Sequence, residues 1–221
     1  INQFRNISND PLVISENAYK IESEEAGIKG GKQDQYSAAF GGFNFIEFTK
    51  TNVSVTPQLL PKNIKNELLS SMIICDTGVT RLSAKILERQ INSYVESNPK
   101  VIDNLNHIKR LAFDMCSTLK QGKILELGEL LNQHWNLKKQ LDDKISNDDI
   151  DQLYDFATSN GSIGGKLLGA GGGGHFLFIC KPEDRSLLVK KLVSTGRNVL
   201  KFNFDSDGLS TWKTDGNTVV S

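Results

Sequence analysis

Between residues 164 and 174 the chain reads Gly-Gly-Lys-Leu-Leu-Gly-Ala-Gly-Gly-Gly-Gly. The glycines Gly171, Gly172, Gly173 and Gly174, after Gly169 and Ala170, let the backbone take positive φ and approach a ligand or another segment with no Cβ in the way. A phosphate cradle is one use of such a loop; a tight lead into the apolar strand predicted over His175 to Cys180 is the other. The run is not a Walker sequence, which ends in Gly-Lys-Ser/Thr, and it lacks the strand and spacing of the dinucleotide fingerprint. A second candidate is Asp34, flanked by Gln33 and Gln35 and preceded by Gly30-Gly31. An aspartate held there can accept a hydroxyl proton or orient that hydroxyl, and the two glutamines can hydrogen-bond the carboxylate or a polar substrate. The same aspartate can instead cap a helix that starts at Gln35.

Other polar residues exclude chemistries. His107, His134 and His175 are far apart and lack acidic or cysteine partners at ligand spacing, so no zinc site is predicted. The run Asp142, Asp143, Asp148, Asp149, Asp151 lacks the central glycine and closing glutamate of a calcium loop and reads as a solvated helix junction. Cys75, Cys116 and Cys180 are odd in number and set among apolar residues, as reduced core thiols are. Lys and Arg total 26 against 26 Asp and Glu, so no net field draws nucleic acid, and the basic pairs Lys109-Arg110 and Lys190-Lys191 stand alone. No apolar run approaches the roughly 18 residues of a spanning helix, and the first residues lack a basic-then-apolar leader, so the expectation is a cytoplasmic chain with no membrane partner.

Elements must position the loop and the aspartate. Residues 14 to 26 predict a helix with Ser15 as its cap and Gly27 as its stop, and Ala38 to Phe40 predict a short helix before Gly41-Gly42. Phe43 to Phe48 and Val53 to Val55 alternate as strands. Met72-Ile73-Ile74, within 68–75, predict a strand buried on both faces. Three amphipathic helices follow, one over about 80–97 and one on each side of Gly122, and a fourth starts near Ser146 to Asp149 and ends near Asn160-Gly161. Pro182-Glu183-Asp184 open a helix with Leu187, Leu188 and Leu192 on one side. Leu200, Phe202 and Phe204 alternate as a strand, with a hairpin turn at 205–208. For 221 residues this is an α+β chain with room for one large domain or two small ones.

The segments 31–44, 76–81 and 164–174 together resemble the GHMP small-molecule kinases, and among them the bacterial D-glycero-D-manno-heptose 7-phosphate kinases. The resemblance implies a two-domain α+β architecture with an incomplete amino-terminal domain: residues 1–62 as its remnant, 63–221 as the carboxy-terminal domain. It implies ATP and Mg2+ as cofactors, a sugar phosphate as substrate, and transfer of a phosphoryl group to the anomeric hydroxyl of heptose 7-phosphate. It implies that Asp34 is the catalytic base or hydroxyl-orienting group. Gly169, Ala170, Gly171, Gly172, Gly173 and Gly174 would lie beside the bound substrates and help hold the nucleotide-phosphate loop. Thr77 and Arg81 would fall on a segment near the substrate, with Arg81 able to pair with the sugar phosphate. The family's glycine- and serine-rich phosphate motif has no match in these residues, and the metal ligands are unassigned. The expectation is therefore the carboxy-terminal two-thirds of a kinase. A galactose- or fucose-type kinase and a catalytically silent binding module are the alternatives.

Overall fold

The computed structural model describes residues 9–28, 30–79, 83–214 and 219–220. The chain forms two compact units, one holding the residues up to Leu59 and those from Asn203 onward, the other Leu60–Phe202. Both combine helices with antiparallel sheets, an α+β fold.

In the first unit, α1 (Pro11–Lys20) starts with proline in its first turn and is capped by Asp10, whose carboxylate accepts the Leu12 N–H at 2.9 Å. The expected cap, Ser15, lies instead inside the helix: it is buried, and its hydroxyl donates to Pro11 O at 2.6 Å. A π-helical turn, Ile21–Glu25, extends α1, and Gly27 at φ +66° ends it. Next comes α2 (Gln33–Phe40), and then β1 (Asn44–Phe48) and β2 (Val53–Pro57) pair as an antiparallel hairpin with Ile46 opposite Val55. Buried Tyr36 joins the helices: its hydroxyl donates to Glu16 at 2.6 Å, and Lys32 Nζ lies 3.2 Å from the same carboxylate. The Tyr36 ring also meets Phe48 edge-on at 5.5 Å.

The second unit runs through α3 (Lys62–Ser71), β3 (Met72–Asp76), α4 (Ser83–Val95), α5 (Pro99–Lys120), α6 (Ile124–Lys139), α7 (Asp148–Ser159), β4 (Ser162–Leu167), β5 (His175–Cys180), α8 (Arg185–Ser194) and β6 (Val199–Leu200). Its sheet has the order β4-β5-β3-β6, antiparallel throughout. Burial along β3 alternates, with Ile73 and Cys75 fully buried and their neighbours half-covered, so the strand has one buried face rather than the two expected. Trp135, Tyr154, Phe176 and Phe178 form the aromatic centre of the core, with Trp135 edge-on to Phe176 at 5.4 Å. Cys75 and Cys180 are buried there, no disulfide forms, and burial pushes both thiols up to about 11. The helix α6 comes unusually close to β4 because glycine meets glycine: a Cβ on Gly164 would overlap Gly128 O and lie 2.9 Å from Asn132 Cβ.

The predicted strand through Phe204 does not form. Only Val199 and Leu200 pair with β3, after which the chain runs without regular structure to residue 212. It joins the first unit through backbone bonds, Gly42 N–H to Asp205 O at 2.7 Å and Leu209 N–H to Ala39 O at 3.2 Å, and through the Phe43 and Phe204 rings at 4.8 Å. The contact boundary falls between Leu59 and Leu60, and the segment from Asn203 groups with the first unit instead of the second. The last strands, β7 (Lys213–Thr214) and β8 (Val219–Val220), pair with each other. Among the described residues no helix is long and apolar enough to cross a membrane.

Candidate active site

Leu168 to Gly174 form the connection between the antiparallel neighbours β4 and β5, closed where Leu168 N–H donates to His175 O at 2.9 Å. Two loop N–H groups are held by other segments, Gly172 on Ile145 O and Gly174 on Val79 O, both at 2.9 Å. Gly173 has φ +152°, and a Cβ there would overlap Val79 O, so this step of the loop admits glycine alone. The N–H groups of Gly169, Ala170, Gly171 and Gly173 have no hydrogen-bond partner among the described residues. A backbone with donors to spare at positive φ suits an anion such as a phosphate.

Loop carbonyls have cationic or hydroxyl partners. Gly174 O accepts from Thr77 N–H at 2.8 Å and from the Thr77 hydroxyl at 2.9 Å. Thr77 is 1% exposed, so its hydroxyl is spent on the loop and is not offered to solvent. Lys138, from the last turn of α6, donates to Leu167 O at 3.4 Å and to Gly169 O. It is 8% exposed and has no carboxylate partner. Burial, with Lys166 nearby, pushes its ammonium down to about 7. Burial likewise lowers Lys166, whose side chain has no hydrogen bond or ion pair among the described residues. His134, one turn before Lys138, is driven down to about 3 by burial and by the same two lysines, and its Nδ1 is buried without a partner. Neither His134 nor Lys138 is among the site residues expected from the sequence. The available signal was spacing: Leu127, Leu131, Trp135 and Lys138 recur on the buried face of α6.

Asp34 is the second residue of α2 and exposed. Because the helix starts at Gln33, Asp34 does not cap it. Its carboxylate has no hydrogen bond or ion pair among the described residues. Gln33 is also exposed, next to it. Gln35 turns elsewhere: its Nε2 donates to the Glu22 carboxylate, bracing α2 against the π-helical turn, and its Oε1 is buried without a partner. The Tyr36–Glu16–Lys32 network fixes α2 on α1; burial and the bond to Glu16 push the Tyr36 phenol up to about 12, and Tyr36 and Lys32 hold Glu16 below its usual range. Asp34, Gln33 and Gln35 therefore belong to the first unit, and Thr77 and the glycine loop to the second. Arg81 lies outside the described residues. Among the described residues no group of three or more His, Cys, Asp or Glu side chains could hold a metal ion.

Residues 115–198 match the family described as GHMP kinases C terminal. The D-glycero-alpha-D-manno-heptose 7-phosphate kinase of Campylobacter jejuni is 34% identical over 201 residues, 90% of this chain and 59% of its own length. Among solved structures, a D-glycero-D-manno-heptose 1-phosphate kinase from Bacteroides thetaiotaomicron matches with TM-score 0.65 at 31% identity, over 88% of this chain and 52% of that one. Streptococcus pneumoniae phosphomevalonate kinase, in complex with phosphomevalonate and AMPPNP, matches at TM-score 0.71 over 90% of this chain and 63% of its own. At 16% identity that likeness shows the fold alone. The chain thus spans little more than half the length of the heptose kinases it matches.

Proposed function

We propose that this chain, whose residues 115–198 match the family described as GHMP kinases C terminal, serves an ATP-dependent sugar kinase acting on D-glycero-D-manno-heptose 7-phosphate. The observation that carries this reading is the glycine loop, whose four unpartnered N–H groups sit on a hairpin connection that packing keeps glycine-rich. Phosphate oxygens of a nucleotide are the ligand class such donors suit. The 34% identity to the Campylobacter enzyme supports a heptose phosphate over galactose or fucose as the sugar.

In the proposed reaction the anomeric oxygen of the heptose forms a bond to the γ-phosphorus of ATP while the bond from that phosphorus to the β,γ-bridging oxygen breaks. The products are ADP and the 1,7-bisphosphate, and the hydroxyl proton passes to a base. Asp34, exposed and unpaired on the first turn of α2, is the proposed acceptor, with Gln33 beside it as a hydrogen-bonding partner for the sugar. Thr77 acts by holding Gly174 and so the shape of the loop. Phosphoryl transfer is loose, so alignment and charge neutralisation dominate. Magnesium, when bound, would supply part of that neutralisation, and its protein ligands here are unassigned.

The test is a magnesium–ATP phosphoryl-transfer assay on heptose 7-phosphate beside free galactose, fucose and mannose. Turnover of the heptose phosphate alone supports the proposal; turnover of a free hexose replaces the substrate. Nucleotide binding with no turnover on any sugar replaces the kinase with a binding module. Where turnover is found, Asp34→Asn lowers kcat by about 10²-fold or more, the usual worth of a positioned base, and leaves nucleotide affinity within a few-fold. A variant with near-normal kcat removes Asp34 from the chemistry.

A further inference from the structure

Lys138 stands out once the site residues are set aside. It is a buried ammonium whose partners are not carboxylates but two carbonyl oxygens, Leu167 O at the end of β4 and Gly169 O inside the glycine loop. Burying a charge without an opposite charge is costly, and the neighbouring Lys166 adds to that cost. Methionine or leucine would fill the same face of α6 beside Trp135 and Leu131 more cheaply, so packing does not account for a lysine here. The two hydrogen bonds do. They fasten the first half of the loop, Leu167 to Gly169, as Thr77, Val79 and Ile145 fasten the second half. The Gly169 carbonyl that Lys138 holds shares its peptide plane with the unpartnered Ala170 N–H and lies between the unpartnered N–H groups of Gly169 and Gly171.

We infer that Lys138 is a positioning residue for the glycine loop: by binding Leu167 O and Gly169 O it fixes two peptide planes, the second of which carries the Ala170 N–H, and so orients the run in which Gly169, Ala170 and Gly171 present their N–H groups to a phosphate-bearing ligand. The inference deepens the kinase reading and rests on it for the ligand, but the tether itself is independent of turnover. Lys138 touches neither sugar nor nucleotide in this account and acts through the loop.

The experiment is amide hydrogen exchange on the whole chain, unaltered and as Lys138→Met and Lys138→Arg, with MgADP affinity measured on the same three proteins. Methionine keeps the stem and removes the donor; arginine restores a charged donor. Exchange of the Leu168 and Gly172 amides, the hydrogen-bonded N–H groups that bracket the free ones, accelerates on the order of tenfold or more in Lys138→Met, β5 and α7 keep their protection, and Lys138→Arg recovers part of it. MgADP affinity falls with the loss of loop protection. Unchanged exchange at Leu168 and Gly172, or acceleration spread evenly over the second unit, overturns the tether and leaves Lys138 a packing residue. Selective loosening in a chain that binds no MgADP in any form upholds the tether and sinks the kinase reading instead. If Lys138→Met does not fold, the Lys138 ammonium hydrogens in the unaltered chain decide: slow exchange with water supports the two bonds, and exchange as fast as that of exposed lysines overturns them.

Discussion

Lys138 and His134 are set apart by the environment that α6 and β4 create around them, which their own residue types do not announce in the way that a carboxylate between two glutamines or a run of glycines announces itself as a candidate. That environment has a consequence in pH. His134 is held at about 3, below its ordinary value of 6.5, by burial and by the lysines 138 and 166. A base whose folded pKa is depressed stays neutral in the fold while the unfolded chain takes up a proton, so stability is full above pH 6.5 and is lost as pH falls toward 3. At pH 5 the loss is about 2 kcal/mol at most, the free energy of roughly one and a half units of pKa difference. Lys138 acts in the same direction but in a higher window, between its ordinary value of 10.5 and about 7, so the two are separable. Urea unfolding at pH 7.5 and pH 5 reads the effect: the unaltered chain loses stability over this interval, and His134→Gln loses much less. Equal losses in both proteins assign the slope to other groups.

Helices were easier to read than strands, and the errors have physical causes. The start of α7 was legible from Ser146 to Asp149, yet the cap is Asn147, whose side chain accepts the Ile150 N–H at 3.0 Å, while Ser146 donates to Asp151 at 2.8 Å. Several residues there can cap, and tertiary context chooses. Leu188 and Leu192 are fully buried on α8 as expected, but Leu187 is 55% exposed, since one step of helix turns a side chain by about 100°. Gly128 belongs to the helix predicted after Gly122, and Gly164 to the glycine-rich run, whose first residues form β4 instead of a loop; nothing in either segment says that they meet. Their meeting is what lets α6 lie close on β4 and bring Lys138 to the loop. Gly164→Ala forces a Cβ onto Gly128 O, a backbone atom that moves only if the helix moves. The expected cost is about 1–3 kcal/mol or more, the range for overpacking a tight interior. Gly169→Ala is the contrast: its Cβ meets nothing within 4 Å, and its φ of +70° limits the cost to about 1 kcal/mol. Equal destabilisation in equilibrium unfolding of the two variants contradicts the close-approach argument.

At the scale of the whole molecule, the two units differ in what holds each together. The residues 60–202 contain the four-stranded sheet with β6 included and the entire main core, from Ile73 to Val199. The first unit has two helices, the β1–β2 hairpin and, near the far end of the sequence, the short β7–β8 pair, and two-stranded sheets are marginal in water by themselves. What closes it comes from the far end of the sequence: Asp205 O on Gly42, Leu209 on Ala39 O, Phe204 on Phe43, and Gly208 so near Gly41 that neither has room for a side chain. This return was illegible because its bonds are backbone bonds, which carry no residue signature, and because the alternation of Leu200, Phe202 and Phe204 imitates a strand. The consequence is an asymmetry between fragments. A polypeptide of residues 60–202 folds alone and unfolds in one cooperative urea transition, with amides in β3, β4 and β5 protected. Residues 1–59 alone lack their closing segment and show little amide protection in α2 and β1; adding residues 203–221 through a flexible linker restores it. Protection in 1–59 without that addition would mean that Tyr36, Glu16 and Lys32 suffice to hold the unit, and failure of 60–202 to fold would mean that its core depends on residues outside it.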